Sequence, residues 1–139
     1  MSQTILTSIY NKLAGAATLS AIVSTRIFQL EAPQATILPL LVFGVSEDST
    51  EVFFDSSAST KNQSNLFFTA YFAPNSSVVN AMTLEEAIFD LFNKATVASS
   101  DGTKYADMQT ICISRGSPTI NTDSILVDMQ YKIFSTKLT

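Results

Sequence analysis

A chain of 139 residues and 15.1 kDa has the size of one compact domain, because each half of it would bury too little surface to fold alone. Charged residues make up 14%, against roughly 25% in an average soluble protein, and the serines and threonines that replace them are buried against a partner at lower desolvation cost, which favours assembly. No histidine, one cysteine (Cys112), four glycines and a net charge of −4 exclude His-based nucleophilic catalysis, His-ligated zinc, internal disulfides and extended contact with phosphates.

The start, Met1-Ser-Gln-Thr-Ile-Leu, lacks the basic and unbroken apolar regions of a signal peptide, and no apolar run reaches 18 residues, so the sequence predicts a cytosolic product with no membrane partner. From Ser2 to Leu13, Ile5, Leu6, Ile9 and Leu13 recur at helical spacing; Ser2 suits the N-cap and Gly15 a left-handed C-terminus. Ala16 to Thr25, with Thr18 as N-cap and Leu19, Ile22 and Val23 on one side, predicts a short second helix. Arg26-Ile-Phe-Gln suits a short strand. Glu31 to Pro39 is an extended connection because Pro33 and Pro39 cannot donate to a ladder.

Leu40-Leu-Val-Phe-Gly-Val-Ser is too continuously apolar for an exposed strand and predicts one running through the sheet's centre, with Gly44 marking a bulge or a close backbone approach. Glu47 to Ser64 is polar and acidic and predicts a long hairpin or mobile loop. In Leu66-Phe-Phe-Thr-Ala-Tyr-Phe, Leu66, Phe68, Ala70 and Phe72 oppose Phe67, Thr69 and Tyr71; aromatics on both faces imply that both are covered, by core or by a neighbour. Thr83-Leu-Glu-Glu has the form of a capping box, followed by the stripe Leu84, Ile88, Leu91 and Phe92 and an end at Asn93 or Lys94. After the turn Ser99-Ser-Asp-Gly, Met108 to Arg115 alternates as a strand. The last strand places Ile125, Val127, Met129, Tyr131 and Ile133 inward and Asp128, Gln130 and Lys132 outward. The order α-α-β-β-β-α-β-β predicts a single α+β domain over 1–139, with a mainly antiparallel sheet and helices on one face.

No element carries enzyme chemistry. Glu47, Asp48, Glu51 and Asp55 form an oxygen-rich run, but without the glycine and closing glutamate of an EF-hand they suit a solvated or interface loop rather than a metal site. Glu85, Glu86 and Asp90 could mimic a carboxylate pair, but the first turns of a helix explain the glutamates through capping and the helix dipole, and Cys112 between Ile111 and Ile113 suits a small core or sheet-face position. No catalytic, cofactor-binding or metal residue follows. Arg26 and Arg115, the two arginines, are candidates for ion pairs across an interface, with an ordinary surface salt bridge as the alternative.

The capped first helix, the short helix with Leu19, Ile22 and Val23, the Arg26-Ile-Phe strand, the proline connector, Leu38-Pro39-Leu-Leu-Val-Phe, Leu66-Phe-Phe-Thr-Ala-Tyr-Phe and the Ala81–Leu91 helix together resemble the tail terminator, or tail completion, proteins of long-tailed bacteriophages. The resemblance covers the chain in element order, with the segment from Arg26 to Pro39 its most specific part. It implies a virion protein of the neck, assembled in the host cytoplasm as a homo-oligomeric, hexameric ring. One ring face caps the tail tube and stops its elongation, the other joins the head-tail connector, and DNA passes the lumen without specific binding. Another neck, connector or baseplate subunit is the alternative, and a small divalent-cation or ligand-binding domain a further one. Within the ring reading, Glu47, Asp48, Glu51, Val52, Phe53, Phe54, Asp55 and Lys61 belong to a segment that reaches a neighbour or lines the lumen, with Val52, Phe53 and Phe54 as its apolar anchor.

Overall fold

In a computed structural model of the protein, residues 3–33, 37–52, 59–75 and 78–138 are described, with backbone alone over 47–52 and 59–61. Two helices, α1 (Gln3–Ala14) and α2 (Ala17–Val23), precede β1 (Ile27–Gln29), β2 (Leu40–Val52) and β3 (Ser59–Phe72). Then come α3 (Val78–Phe92), β4 (Ala95–Val97), β5 (Tyr105–Ser114), β6 (Thr119–Ile120) and β7 (Ile125–Leu138). The strands form one sheet in the order β1-β2-β3-β7-β5-β4, with β6 on the start of β7. Every pairing is antiparallel except β1 with β2. The architecture is the α+β class that the element order predicts, with β4 and β6 as additions too short to show a period.

The period-two pattern decides the layers. Leu41, Phe43 and Val45 of β2, Leu66, Phe68, Ala70 and Phe72 of β3, and Ile125, Val127, Met129, Tyr131 and Ile133 of β7 are all buried. Against them pack Ile5, Ile9 and Leu13 of α1, Leu19 and Val23 of α2, and Ala81, Leu84, Ile88 and Phe92 of α3, as one core. Each buried Val, Leu, Ile, Met or Phe among them contributes roughly 1.5–3 kcal/mol on leaving water, so the three helices share one face of the sheet.

Several local expectations are corrected. Gly15 does not adopt left-handed backbone; its N–H continues the helical pattern onto the Asn11 carbonyl at 3.1 Å. The N-cap of α2 is Ala16, without a side-chain cap, so Thr18 lies inside the helix. Helix α3 starts at Val78, five positions before the Thr83 capping box, because Ala81 extends the buried stripe upstream. Thr83 then donates its hydroxyl to the Val79 carbonyl at 2.8 Å, the usual resolution for a threonine inside a helix. The α3 end falls as the sequence indicates, with Lys94 left-handed at φ 51°. β2 is interior, but the middle of the sheet is β3 and β7. On β5 the alternation alone leaves the buried row open; Met108 and Thr110 face the core, with the Thr110 hydroxyl donating to the Phe92 carbonyl.

Ser8 of α1 is buried and ties the helix to the turn before β5: its hydroxyl donates to the Thr4 carbonyl at 2.6 Å and accepts from the Ser100 N–H at 2.9 Å. Ser8→Ala leaves that N–H without its acceptor and is expected to lower stability by about 1 kcal/mol in chemical denaturation.

Candidate functional site

Three features compete as functional surface: the acidic β2–β3 hairpin, the face of the sheet without helices, and an ion pair at the end of β5. The hairpin is a continuous ladder from Leu40↔Tyr71 to Val52↔Thr60, with a register shift between Glu47 and Ser49 that places Asp48 at a bulge. Glu47 stands opposite Ser64, and Glu51 stands opposite Lys61, a register that favours opposite charges. On its other side β3 pairs with β7 as far as Ser59↔Leu138, so the hairpin strands lie in the plane of the sheet. Phe53, Phe54 and Asp55 lie outside the described residues.

The second face carries Val42, Phe67, Thr69, Tyr71, Leu126, Ile111 and Phe134, and none of the three helices packs on it among the described residues. Within the chain this face is covered in part: Val42 is buried and Thr69 and Tyr71 are half-buried. Phe67 and Phe134 are each 39% exposed. The ring of Phe67 lies over Gly44, where an added Cβ would stand 2.4 Å from its Cζ; the position is crowded by this side chain rather than by backbone, and the bulge lies further on, between Glu47 and Ser49.

Two grooves open along these strands. One, of about 410 Å³, includes Ser46, Phe67, Thr69, Ser114, Asp128 and Gln130, with the Thr69 hydroxyl donating to Asp128 Oδ1 at 2.8 Å. The other, of about 280 Å³, includes Lys94, Thr96, Gln109, Ile111 and Phe134. On the helical side, a shallow groove of about 440 Å³ between the start of α2 and α3 is lined by Glu86 and Asp90, one helical turn apart. Lys94 and Phe134 are not among the site residues that the sequence predicts. A signal for Phe134 was present: it follows Asp128, Gln130 and Lys132 on the outward row of β7, where an aromatic breaks the polar pattern.

Both arginines are engaged within the chain. Arg26 Nε donates to the Pro39 carbonyl at 2.8 Å, joining the entry of β1 to that of β2. Arg115 grips the buried Glu85 of α3 through Nη2 at 2.7 Å to Oε1 and Nε at 3.1 Å to each carboxylate oxygen, and its guanidinium stacks 4.1 Å from the Phe89 ring centroid. The Glu85 hydrogen bonds raise the Arg115 pKa further, so it stays charged at every working pH. The pair pins α3 to the end of β5.

The Tyr131 hydroxyl is buried and has no hydrogen-bond partner among the described residues. Burial raises its pKa well above the ordinary tyrosine value, the Cys112 thiol and Glu85 carboxylate add to the rise, and Arg115 opposes it. An acid whose folded pKa is raised contributes fully below its unfolded value of about 10, and that contribution is lost as pH rises toward the folded value. Stability should therefore fall above about pH 10. Tyr131→Phe should remove this alkaline loss and leave stability at neutral pH unchanged or higher, as read from melting temperature against pH.

Among the described residues no three acidic or cysteine side chains gather as a metal centre, and no helix is long and apolar enough to cross a membrane. No protein-family model and no curated protein matches the sequence. Solved structures do share the fold. A chain from the virion of a native gene transfer agent particle superposes with TM-score 0.68 at 14% identity, over 97% of this chain and 94% of the other. A second solved structure gives TM-score 0.62 at 13% identity, over 100% of this chain and 96% of its own. Near-complete coverage in both directions means that the whole α+β unit is shared, without large insertions on either side.

Proposed function

We propose that the protein is a non-enzymatic structural subunit of a phage-like particle, and that it forms a ring at the head-tail junction. The observation that carries this reading is the end-to-end shared fold with a chain of a gene transfer agent virion. The resemblance of the Arg26–Pro39 segment and the later strands to tail terminator proteins supports the finer role: one ring face caps the tail tube, the other meets the head connector, and the ring is hexameric. The surface supports it too. Few charges, abundant hydroxyls and exposed Phe67, Ile113 and Phe134 suit a subunit covered on several sides. Each copy adds a charge of −4, so a ring of them repels phosphate on balance and lets DNA slide through.

Assembly in this reading depends on the hairpin that spans Glu47 to Lys61, which contacts a neighbouring subunit or lines the lumen. Removing its outer part is expected to leave the three-helix core folded and to abolish the ring; an intact ring in native mass spectrometry would rule the hairpin out. The role in the particle is tested by deleting the gene from a genome that encodes one. The expected result is tails of uncontrolled length alongside unjoined heads. Normal joined particles would overturn the proposal, and unjoined heads beside tails of normal length would overturn its capping half.

A further inference from the structure

We propose that the groove of Lys94, Thr96, Gln109, Ile111 and Phe134 receives the acidic β2 strand of a second copy of this chain, around Glu47, Asp48 and Glu51. The inference rests on the ring reading and names the contact that would build it.

Charge complementarity selects the occupant. The groove is lined by Lys94, has no carboxylate among its described lining residues, and has Lys132 at the register position opposite Ile111. The outer half of β2 carries Glu47, Asp48 and Glu51 within five residues, and the facing part of β3 answers with Lys61 alone. Half-exposed Phe134 and half-buried Ile111 supply apolar surface beneath the charges. A contact with an apolar centre and a charged rim is the ordinary anatomy of a protein interface.

The topology then requires that donor and groove belong to different copies. β2 and β3 are held in the plane of the sheet by the ladders to each other and to β7, whereas the groove lies on the far side of β7, between β4, β5 and β7. A strand fixed in the plane of a sheet cannot lie on the face of that same sheet. Docking by strand addition at the β4–β5 edge is also closed. Lys12 Nζ donates to the Thr96 carbonyl at 2.7 Å, and Asn93 Oδ1 accepts from the Cys112 N–H at 3.2 Å, so side chains already occupy edge groups that an added strand would pair. The face remains. Because donor and acceptor are different patches, the contact is head-to-tail, the kind that closes into a ring when its rotation allows.

Charge reversal tests this in the full chain. The variant Lys94→Glu with Lys132→Glu should weaken self-association by about 10-fold or more in sedimentation equilibrium. Adding Glu47→Lys and Glu51→Lys to the same chain should restore it, with circular dichroism confirming that each variant is folded. Phe134→Ser gives a second route to the same loss. A wild-type chain that stays monomeric, a reversal that leaves association unchanged, or a failure of the compensating swap would each overturn the inference. Copies that associate through another surface would leave the ring reading standing, whereas normal particles after gene deletion would remove that reading without touching this contact.

Discussion

Phe92→Ala is expected to destabilise the fold by about 3–5 kcal/mol, the range for deleting a fully buried aromatic. Phe92 is the last residue of α3 and has no exposed surface. Its ring centroid lies 5.2 Å from that of Phe68 and 6.3 Å from that of Tyr131, and those two are themselves edge-on at 5.6 Å. The Lys12 ammonium stands 5.5 Å from the same ring, its pKa lowered by partial burial. One substitution therefore opens a cavity where α1, α3, β3 and β7 meet. Against a total stability of about 5–15 kcal/mol for a domain, the urea midpoint should fall by a large fraction with an unchanged slope. A fall of less than about 1 kcal/mol would mean that the aromatic cluster is not the centre of the core.

Gly116→Ala should be the most damaging of the glycine substitutions, at about 3 kcal/mol. An added Cβ would stand 1.9 Å from the Asp128 carbonyl oxygen and 2.9 Å from its carbon, so backbone must move where the chain leaves β5 alongside β7. The contrast with the other glycines makes the expectation specific. At Gly44 the obstacle is the end of the Phe67 side chain, which can swing toward solvent, and the cost should be nearer 1 kcal/mol. At Gly102 nothing among the described residues lies within 4 Å, so Gly102→Ala serves as the neutral control. Thermal melts of the three variants should rank in that order.

The layers of the fold were legible because β3 and β7 alternate strictly and α1 repeats at three-to-four spacing. The boundaries were less so. The capping-box pattern at Thr83 is chemically sound, yet burial of Ala81 outweighs it and carries α3 back to Val78. β4 has three residues and β6 two, too few for any period to show. On β5 a threonine turns inward and isoleucines outward, since a distant carbonyl on α3 satisfies the hydroxyl, a tertiary fact that no local pattern carries. The acidic run 47–55 was visible as a candidate contact from composition alone. The groove proposed to receive it was not, because Lys94, Thr96, Gln109, Ile111 and Phe134 come from three strands and a helix end that meet only in the folded sheet.

The central claim is that copies of this chain close into a ring. Native mass spectrometry of the purified protein at micromolar concentration, with negative-stain images of the largest species, tests it most directly. The account predicts a single closed oligomer with a central hole, six-fold if the terminator role is right. A chain that remains monomeric and also fails to bind added tail tubes would contradict it.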